Sequence, residues 1–203
     1  SDGGAGAAVD DGEDAAVIGD DAAIGPFCVI GANAVIGEGC TLASHVTVSG
    51  HTTIGANCRI SPFAALGGPP QDRSYRGEPT ELWVGDGNEF REHVTVHRGT
   101  TKDRGLTRIG HHGLFLAGCH VAHDAVVGDH VTLSNATLLG GHVVVGDHVA
   151  TGGQAAVQPF VRLGESCFLA GGAMVERDVP PFVIAAGDRA RVRALNRVGL
   201  ARR

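Results

Sequence analysis

The sequence predicts an all-β fold, a left-handed parallel β-helix of hexapeptide repeats that ends in a short C-terminal helical segment. Two observations predict it. Large apolar residues recur every six positions along most of the chain, and a small residue stands two positions before most of them. A period of six matches neither an α-helix nor an ordinary strand, but it fits a triangular coil built from three short strands. Large and small side chains then alternate inside a narrow prism.

The apolar repeat runs through the chain with two interruptions. Its positions are Ile18, Ile24, Ile30, Ile36, Leu42, Val48, Ile54, Ile60, Leu66, Val84, Phe90, Val96, Ile109, Phe115, Val121, Val127, Leu133, Leu139, Val145, Thr151, Val157, Leu163, Leu169 and Val175. Only Thr151 is not a large apolar residue. Glycine often follows the large residue, as at Gly19, Gly37 and Gly55, where we expect a tight corner to require an unusual φ.

The repeat also divides the chain. Residues 1–15 form an acidic N-terminal segment, residues 16–179 the β-helix, and residues 180–203 the C-terminal helical segment. The two interruptions, 67–82 and 99–108, predict loops ejected from the prism, and long loops on a compact scaffold often carry function. Residues 189–203 contain six arginines and no acid, which fits either a solvated basic helix or a site for anions.

The composition excludes several classes of protein. The 203 residues carry a net charge of −6, a poor balance for a protein that wraps nucleic acid. No run of about 18 apolar residues occurs, so we expect no stable membrane insertion. The acidic N-terminus differs from a secretory signal, and we expect a cytoplasmic protein. The cysteines stand at small inward positions, where we expect them to pack rather than react: Cys28, Cys40, Cys58, Cys119 and Cys167.

Three histidines stand apart from the other eight. His120 and His123 lie in the motif HVAHD, and His142 follows His123 by nineteen residues. Because one coil takes about eighteen residues in this period, His142 should sit one coil above His123 and one position along. Three imidazoles on one outer patch fit either a metal site or a general-base site. Asp124 is the only carboxylate beside them in sequence.

Longer motifs surround these histidines. They are IGPFCVIG (24–31), SHVTVSGHTTIG (44–55), PPQDRSYRGEPT (69–80), FREHVTVHRGT (90–100), HVAHD (120–124), GGHV (140–143) and DVPPFVIAAG (178–187). Together they resemble the acyl-carrier-protein-dependent UDP-N-acetylglucosamine O-acyltransferases that open lipid A biosynthesis. The repeat alone would indicate only the wider hexapeptide-repeat acyltransferase superfamily.

The resemblance implies a cytoplasmic homotrimer of left-handed β-helices with active sites between adjacent prisms. It implies transfer of an (R)-3-hydroxyacyl group from acyl carrier protein to the glucosamine 3-position of UDP-N-acetylglucosamine, by direct attack on the thioester. No cofactor is expected beyond the phosphopantetheine of the carrier protein, and no metal.

The family's site residues carry over onto matching positions of this sequence. His123 matches the catalytic base, Gly141 the N–H donor to the oxyanion, and Asp124 would polarise His123. The positions that match substrate-binding residues are Asp72, His120, His142, Gln158, Asn196, Arg202 and Arg203. Gly171 matches a position that limits acyl-chain length, and glycine there favours a long chain. A 3-hydroxyl and a 3-amino acceptor sugar both stay open.

The sequence departs from the family at several positions. Ser74 stands where a lysine is usual, with Arg73 and Arg76 as candidate substitutes, and Gln158 replaces a histidine. Val198 replaces a common glutamate, and the chain ends at Arg203, before the helical domain that closes the family's chains.

Three alternative functions remain. A trimeric β-helix carbonic anhydrase would hold zinc through three histidines, but that family pairs its later ligands as H-x4-H, whereas the pair here is H-x2-H. A non-catalytic trimeric scaffold would fit the departures at Ser74 and Gln158. An acyltransferase that acts on a different nucleotide sugar would use the same histidines.

Overall fold

A computed structural model of the chain describes residues 8–9 and 15–201. Most of the acidic segment predicted for 1–15 therefore lies outside the described residues. In chain order, strands β1 to β9 are Ala8–Val9, Val17–Ile18, Ala23–Ile24, Val29–Ile30, Val35–Ile36, Thr41–Leu42, Thr47–Val48, His51–Ile54 and Arg59–Ile60. Strands β10 to β18 are Ala65–Gly68, Glu81–Val84, Glu89–Phe90, Thr95–His97, Leu106–Ile109, Leu114–Phe115, His120–Val121, Val126–Val127 and Thr132–Leu133. Strands β19 to β27 are Leu138–Leu139, Val144–Val145, Ala150–Thr151, Ala156–Val157, Arg162–Leu163, Phe168–Leu169, Met174–Val175, Val183–Ala186 and Arg191–Leu195, and helix α1 is Arg197–Ala201.

Every third strand joins the same sheet, so the chain winds as a prism with three faces. The orders are β1-β4-β7-β10-β13-β16-β19-β22-β25, then β2-β5-β8-β11-β14-β17-β20-β23, and lastly β3 to β24 in the same steps, followed by β26 and β27. From β1 to β26 neighbouring strands are parallel, with pairs such as Val35↔Thr53 and Val144↔Arg162 set eighteen residues apart. The predicted left-handed parallel β-helix is confirmed.

The repeat positions fill the interior of the prism. Phe90 and Phe115 are fully buried, and their rings stack with centroids 4.7 Å apart. All five cysteines are buried and free, as the repeat predicted. Thr151 is buried as well, and its Oγ1 accepts a hydrogen bond from the Ser134 N–H and pairs with Thr137 Oγ1 at 2.8 Å. That exception to the apolar pattern therefore has its polar group satisfied.

The prediction for the corner glycines is wrong. Positive φ falls on other corner residues, among them Phe27, Asn33 and His45. Gly19 and Gly37 are needed for a different reason. A Cβ at Gly37 would lie 2.5 Å from the carbonyl carbon of Gly55, and one at Gly19 would lie 2.6 Å from the Glu38 nitrogen. Close stacking of successive coils, rather than left-handed backbone, selects glycine there.

Both interruptions of the repeat contain segments without strand structure, and the flanking strands extend further into them than expected. Gly67 and Gly68 belong to β10, and Glu81 and Leu82 belong to β11. The first loop is thus 69–80 and the second, between β13 and β14, is 98–105. The extension arises because these flanking residues find partners on neighbouring coils, such as Glu81↔His51.

The C-terminal segment is largely a β-hairpin, and the prediction of a helix across it is wrong. Strand β27 pairs antiparallel with β26, from Val183↔Leu195 to Ala186↔Arg191, and within the described part of this segment only Arg197–Ala201 is helical. The turn is made by Gly187 and Arg189, whose φ values are +97° and +56°. Pairing with the last strand of the prism satisfies backbone groups that a short, exposed helix would leave to water. No helix in the described part of the chain is long and apolar enough to span a bilayer.

Candidate active site

Two successive coils place the predicted residues at one corner. His123 and Asp124 follow strand β16, and Gly141 and His142 follow strand β19, which pairs with β16. The His142 N–H donates to the His123 carbonyl at 3.0 Å. Asp124 and His142 hold this corner with φ values of +60° and +61°. Stacking of the coils therefore brings together residues eighteen and nineteen positions apart.

Asp124 is the buried centre of this corner. Its Oδ2 lies 2.8 Å from Nδ1 of His123, and its side chain has no exposed surface. The Thr100 N–H donates to Oδ1 and the Thr100 hydroxyl to Oδ2, each at 2.7 Å. An ionised carboxylate only accepts hydrogen bonds, so an ionised Asp124 selects the tautomer of His123 that carries its proton on Nδ1. In that tautomer Nε2 has a free lone pair.

His142 crosses the His123 ring at an angle of 89°, with the ring centroids 5.3 Å apart. Its Nε2 lies 3.6 Å from Asp124 Oδ2, and its Nδ1 lies 3.4 Å from Asp103 Oδ2. The other face of the ring stacks on Phe160 at 4.5 Å. His142 is thus held between two carboxylates and an aromatic ring.

His120 lies beside a histidine that the sequence reasoning did not select. Its ring meets His97 edge-on at 4.8 Å, and its Nδ1 lies 2.8 Å from Thr95 Oγ1. Burial lowers the pKa of His120, and the neighbouring His123 lowers it further. Burial, followed by the charges of His120 and His123, lowers the pKa of His97 to about 4. Both rings are therefore favoured in their neutral form.

Gly141 lies against the His123 ring. A Cβ at this position would come within 2.7 Å of Cε1 and 3.0 Å of Nε2. Glycine is therefore required for the ring to occupy its place.

Asp72 lies in the first ejected loop and is anchored on both oxygens. Oδ1 accepts from the Ser74 N–H and hydroxyl, each at 2.8 Å, and Oδ2 accepts from Lys102 Nζ at 2.6 Å. The hydrogen bond from Lys102, followed by those from Ser74, holds the pKa of Asp72 well below its usual range. Arg76 turns to the carbonyls of Arg73 and Tyr75. Lys102, rather than either candidate arginine, is the cation on Asp72.

A cavity of about 600 Å³ opens beside the corner. It is lined by Lys102, Asp103, Arg104, Asp124, Val126, His142, Val144, Phe160 and Arg162. Three of these residues are cations, and the second ejected loop supplies two of them. The cavity therefore joins the acid–base corner to a basic wall suited to an anionic ligand.

His123, Asp124 and His142 could in principle hold a metal ion, since they offer ligand atoms within 4.8 Å of one another. The distances argue for hydrogen bonds instead. Ligands at about 2.0 Å from a tetrahedral ion lie about 3.3 Å apart, whereas His123 Nδ1 and Asp124 Oδ2 are 2.8 Å apart. Thr100 also donates to both oxygens of Asp124. The residues present do not fit a zinc site.

Two other predicted residues, Gln158 and Asn196, line cavities other than the one beside this corner. Gln158 lines a small cavity with Met174 and Glu176. Asn196 lines a separate cavity of about 510 Å³ with His130 and His148. Its amide accepts from the Gly199 N–H at 3.0 Å and donates to the Ser166 carbonyl at 2.8 Å, which makes it the N-cap of α1.

Gly171 is exposed, and a Cβ there would meet only backbone atoms of Gly153, the nearest at 3.5 Å. Arg202 and Arg203 lie outside the described residues.

The sequence reasoning missed Thr100, Lys102, Asp103 and His97 as parts of this site. One signal was available, because Thr100 closes the quoted segment FREHVTVHRGT and the next residues form a predicted loop. Spacing could not show that this loop folds back onto Asp124 and Asp72.

The fold and this corner define a hexapeptide-repeat transferase. Residues 15–50 match the family described as bacterial transferase hexapeptide (six repeats), and residues 178–203 match UDP N-acetylglucosamine O-acyltransferase, domain 2.

Relatives with that activity in their names extend the match. The acyl-[acyl-carrier-protein]–UDP-N-acetylglucosamine O-acyltransferase of Halorhodospira halophila is 55% identical over 92% of this chain and 72% of its own. The Burkholderia mallei enzyme of the same name is 42% identical over 71% of this chain and 55% of its own. The LpxA structure from Acinetobacter baumannii superposes with a TM-score of 0.93 at 42% identity, over 97% of this chain and 75% of that one. The chain belongs to the acyl-[acyl-carrier-protein]–UDP-N-acetylglucosamine O-acyltransferase family.

Proposed function

We propose that the protein transfers an (R)-3-hydroxyacyl group from acyl carrier protein to the glucosamine 3-position of UDP-N-acetylglucosamine, the first step of lipid A biosynthesis. The observation that carries this proposal is the buried Asp124 carboxylate 2.8 Å from Nδ1 of His123. It fixes the tautomer in which Nε2 is free to accept a proton. The family relationship supplies the acyl donor and the sugar acceptor.

The proposed reaction uses His123 twice. Nε2 takes the proton of the sugar hydroxyl while its oxygen attacks the thioester carbonyl carbon. The tetrahedral oxyanion accepts a hydrogen bond from the Gly141 N–H. When the C–S bond breaks, the thiol of the phosphopantetheine leaves with the proton held by His123. No covalent enzyme intermediate is needed, and all five cysteines are buried in the prism.

We assign substrate binding to Asp72 of the first loop and to the basic wall of the cavity. Asp72 would accept a hydrogen bond from a sugar hydroxyl, and Lys102, Arg104 and Arg162 would face the diphosphate. His120 and His142 would flank the acceptor. The exposed Gly171, which carries no side chain, favours a long acyl chain. The proposed chemistry requires no metal and no cofactor of the enzyme itself.

We further propose a homotrimer in the cytoplasm. Val29, Leu138 and Met174 are large apolar residues, each more than 40% exposed, on strands of one sheet. A neighbouring prism would cover them. The free, buried cysteines suit a reducing compartment. Light scattering should give three times the 20.7 kDa of one chain.

The test is an acyl-transfer assay with UDP-N-acetylglucosamine and a panel of 3-hydroxyacyl carrier proteins. Wild-type protein should turn over in EDTA, and His123→Ala should lose activity by at least a hundredfold while keeping its fold and oligomeric state. Turnover with another nucleotide sugar alone would replace the acceptor, and no turnover with any donor would favour a scaffold. Loss of activity in EDTA together with bound zinc would overturn the metal-free mechanism.

A further inference from the structure

The second ejected loop, 98–105, contacts two carboxylates of the candidate site. One is Asp124, behind the proposed base, and the other is Asp72, on the opposite loop. The two contacts come from residues two positions apart, Thr100 and Lys102. The same loop contributes Asp103, whose Oδ2 lies 3.4 Å from His142 Nδ1. This short loop therefore connects the proton-transfer corner with the substrate-binding loop.

The Thr100 contact fixes the direction of the Asp124 carboxylate. Thr100 is 3% exposed, and its N–H and hydroxyl bind one oxygen each at 2.7 Å. A carboxylate held at both oxygens cannot rotate about its Cβ–Cγ bond without losing hydrogen bonds. The 2.8 Å contact of Oδ2 with His123 Nδ1 is thereby held in place.

The Lys102 contact joins the two loops. Lys102 is the only lysine in a chain with 16 basic residues, and its Nζ lies 2.6 Å from Asp72 Oδ2. The carboxylate has 14% of its surface exposed, so it is partly shielded from water. Lys102 also lines the 600 Å³ cavity beside His142. An ammonium group has three N–H donors, and two remain after the bond to Asp72.

We propose that loop 98–105 is a two-armed positioning element: Thr100 orients Asp124 and, through it, His123, while Lys102 orients Asp72 toward the nucleotide sugar. The inference rests on the proposed function, because it assigns roles within the same site. Neither residue takes a proton from substrate. Thr100 acts through Asp124, and Lys102 acts through Asp72 in addition to its place in the cavity wall.

The two arms should differ in their kinetic effects. Loss of the Thr100 hydroxyl frees one side of Asp124 and disturbs the base, so kcat should fall with little change in KM. Loss of the Lys102 ammonium frees Asp72 and removes a cation from the cavity wall. KM for UDP-N-acetylglucosamine should then rise, with little change in KM for the acyl carrier protein.

The kinetic test of the first arm uses Thr100→Val, with Thr101→Val as its matched control. Thr101 is the adjacent, exposed threonine of the same loop. We expect kcat of the Thr100 variant to fall about tenfold, Thr100→Ser to restore it, and the control to match wild type. An unchanged kcat in a folded Thr100→Val would overturn this arm.

The test of the second arm is a double-mutant cycle. Lys102→Met should raise KM for the nucleotide sugar about tenfold, Lys102→Arg should recover part of that loss, and the loss in Asp72→Asn combined with Lys102→Met should be smaller than the sum of the two single losses in free energy. Fully additive effects of the two substitutions would show that Lys102 and Asp72 act independently, and would overturn the proposal that Lys102 positions Asp72.

A readout without turnover separates this inference from the proposed function. In carbon-13 NMR, the pKa of Asp72 should rise toward its ordinary value in Lys102→Met, because the hydrogen bond from Lys102 is the largest cause of its low value. In nitrogen-15 NMR, Thr100→Val should alter the tautomer signature of His123. If both signals respond in a protein that transfers no acyl group, the positioning element stands and the reaction is wrong. If neither responds, the positioning element is wrong whatever the activity.

Discussion

Substitution of Gly141 by alanine tests whether the His123 ring must occupy its observed place. The new Cβ would lie 2.7 Å from Cε1 and 3.0 Å from Nε2 of the ring. Carbon atoms pack at about 3.5 Å or more, so the ring would have to retreat by about 0.8 Å. His123 cannot retreat freely, because its Nδ1 is held 2.8 Å from Asp124 Oδ2.

The expected effect follows from that displacement. Misplacement of a reacting group by about 1 Å costs about a hundredfold in rate, or about 2.7 kcal/mol in activation free energy. Alanine keeps the backbone N–H, so the proposed oxyanion donor is retained and the loss reports on His123 alone. The assay is steady-state acyl transfer, in which kcat should fall about a hundredfold.

The control is Gly31→Ala, on the same face of the prism. A Cβ at Gly31 would find its nearest neighbours at 3.6 Å, an ordinary contact. This variant should keep wild-type kcat, and both variants should unfold at similar urea concentrations. Wild-type kcat in a folded Gly141→Ala would refute the argument that the packing of Gly141 sets the position of the base.

Three further predictions concern the fold and its protonation. Phe115→Ala should lower the free energy of unfolding by about 3–5 kcal/mol, while Phe63→Ala, at a ring 51% exposed, should change it by less than about 1 kcal/mol in urea denaturation. Asn196→Ala should lower the stability of helix α1 by about 1 kcal/mol, which would be seen as faster amide exchange at Gly199. Asn196→Asp keeps the hydrogen-bond acceptor, so the Gly199 amide should exchange more slowly in it than in the alanine variant. The pKa of His97 is lowered from 6.5 to about 4, so between these two pH values His97 binds a proton in the unfolded chain but not in the folded chain. The contribution of neutral His97 to stability is therefore full above about pH 6.5 and declines as pH falls toward 4. Between pH 7.5 and 5, the free energy of unfolding should fall less in His97→Gln than in the wild type. An equal fall in the two proteins would show that His97 is not responsible.

Much of the fold was predictable because one simple pattern dictates it. A large residue every sixth position can be buried only if each coil turns through three sides, so Ile36, Phe90 and Leu139 identify the interior. The C-terminal hairpin was not predictable in the same way. Residues 191–195 show no six-residue repeat, and they form a strand because β26 offers an open edge.

The corners show where a local rule was misapplied. Glycine was assigned to positive φ, but histidine, phenylalanine and aspartate adopt it at several corners. Steric contact between coils decides the glycine positions, and that contact depends on neighbours eighteen residues away. A rule based on the backbone freedom of one residue could not predict this contact between coils.

The candidate site was likewise predictable only in part. His123 and His142 could be paired from spacing alone, since the coil length fixes their separation. The hydrogen bond from His123 to Asp124 required the corner geometry, because adjacent side chains on an ordinary strand point to opposite faces. At this corner Asp124 adopts φ +60°, which brings its carboxylate back to the His123 ring. The left-handed backbone at Asp124 is therefore part of the arrangement that places its carboxylate against Nδ1 of His123, and Thr100 donates two hydrogen bonds to that carboxylate.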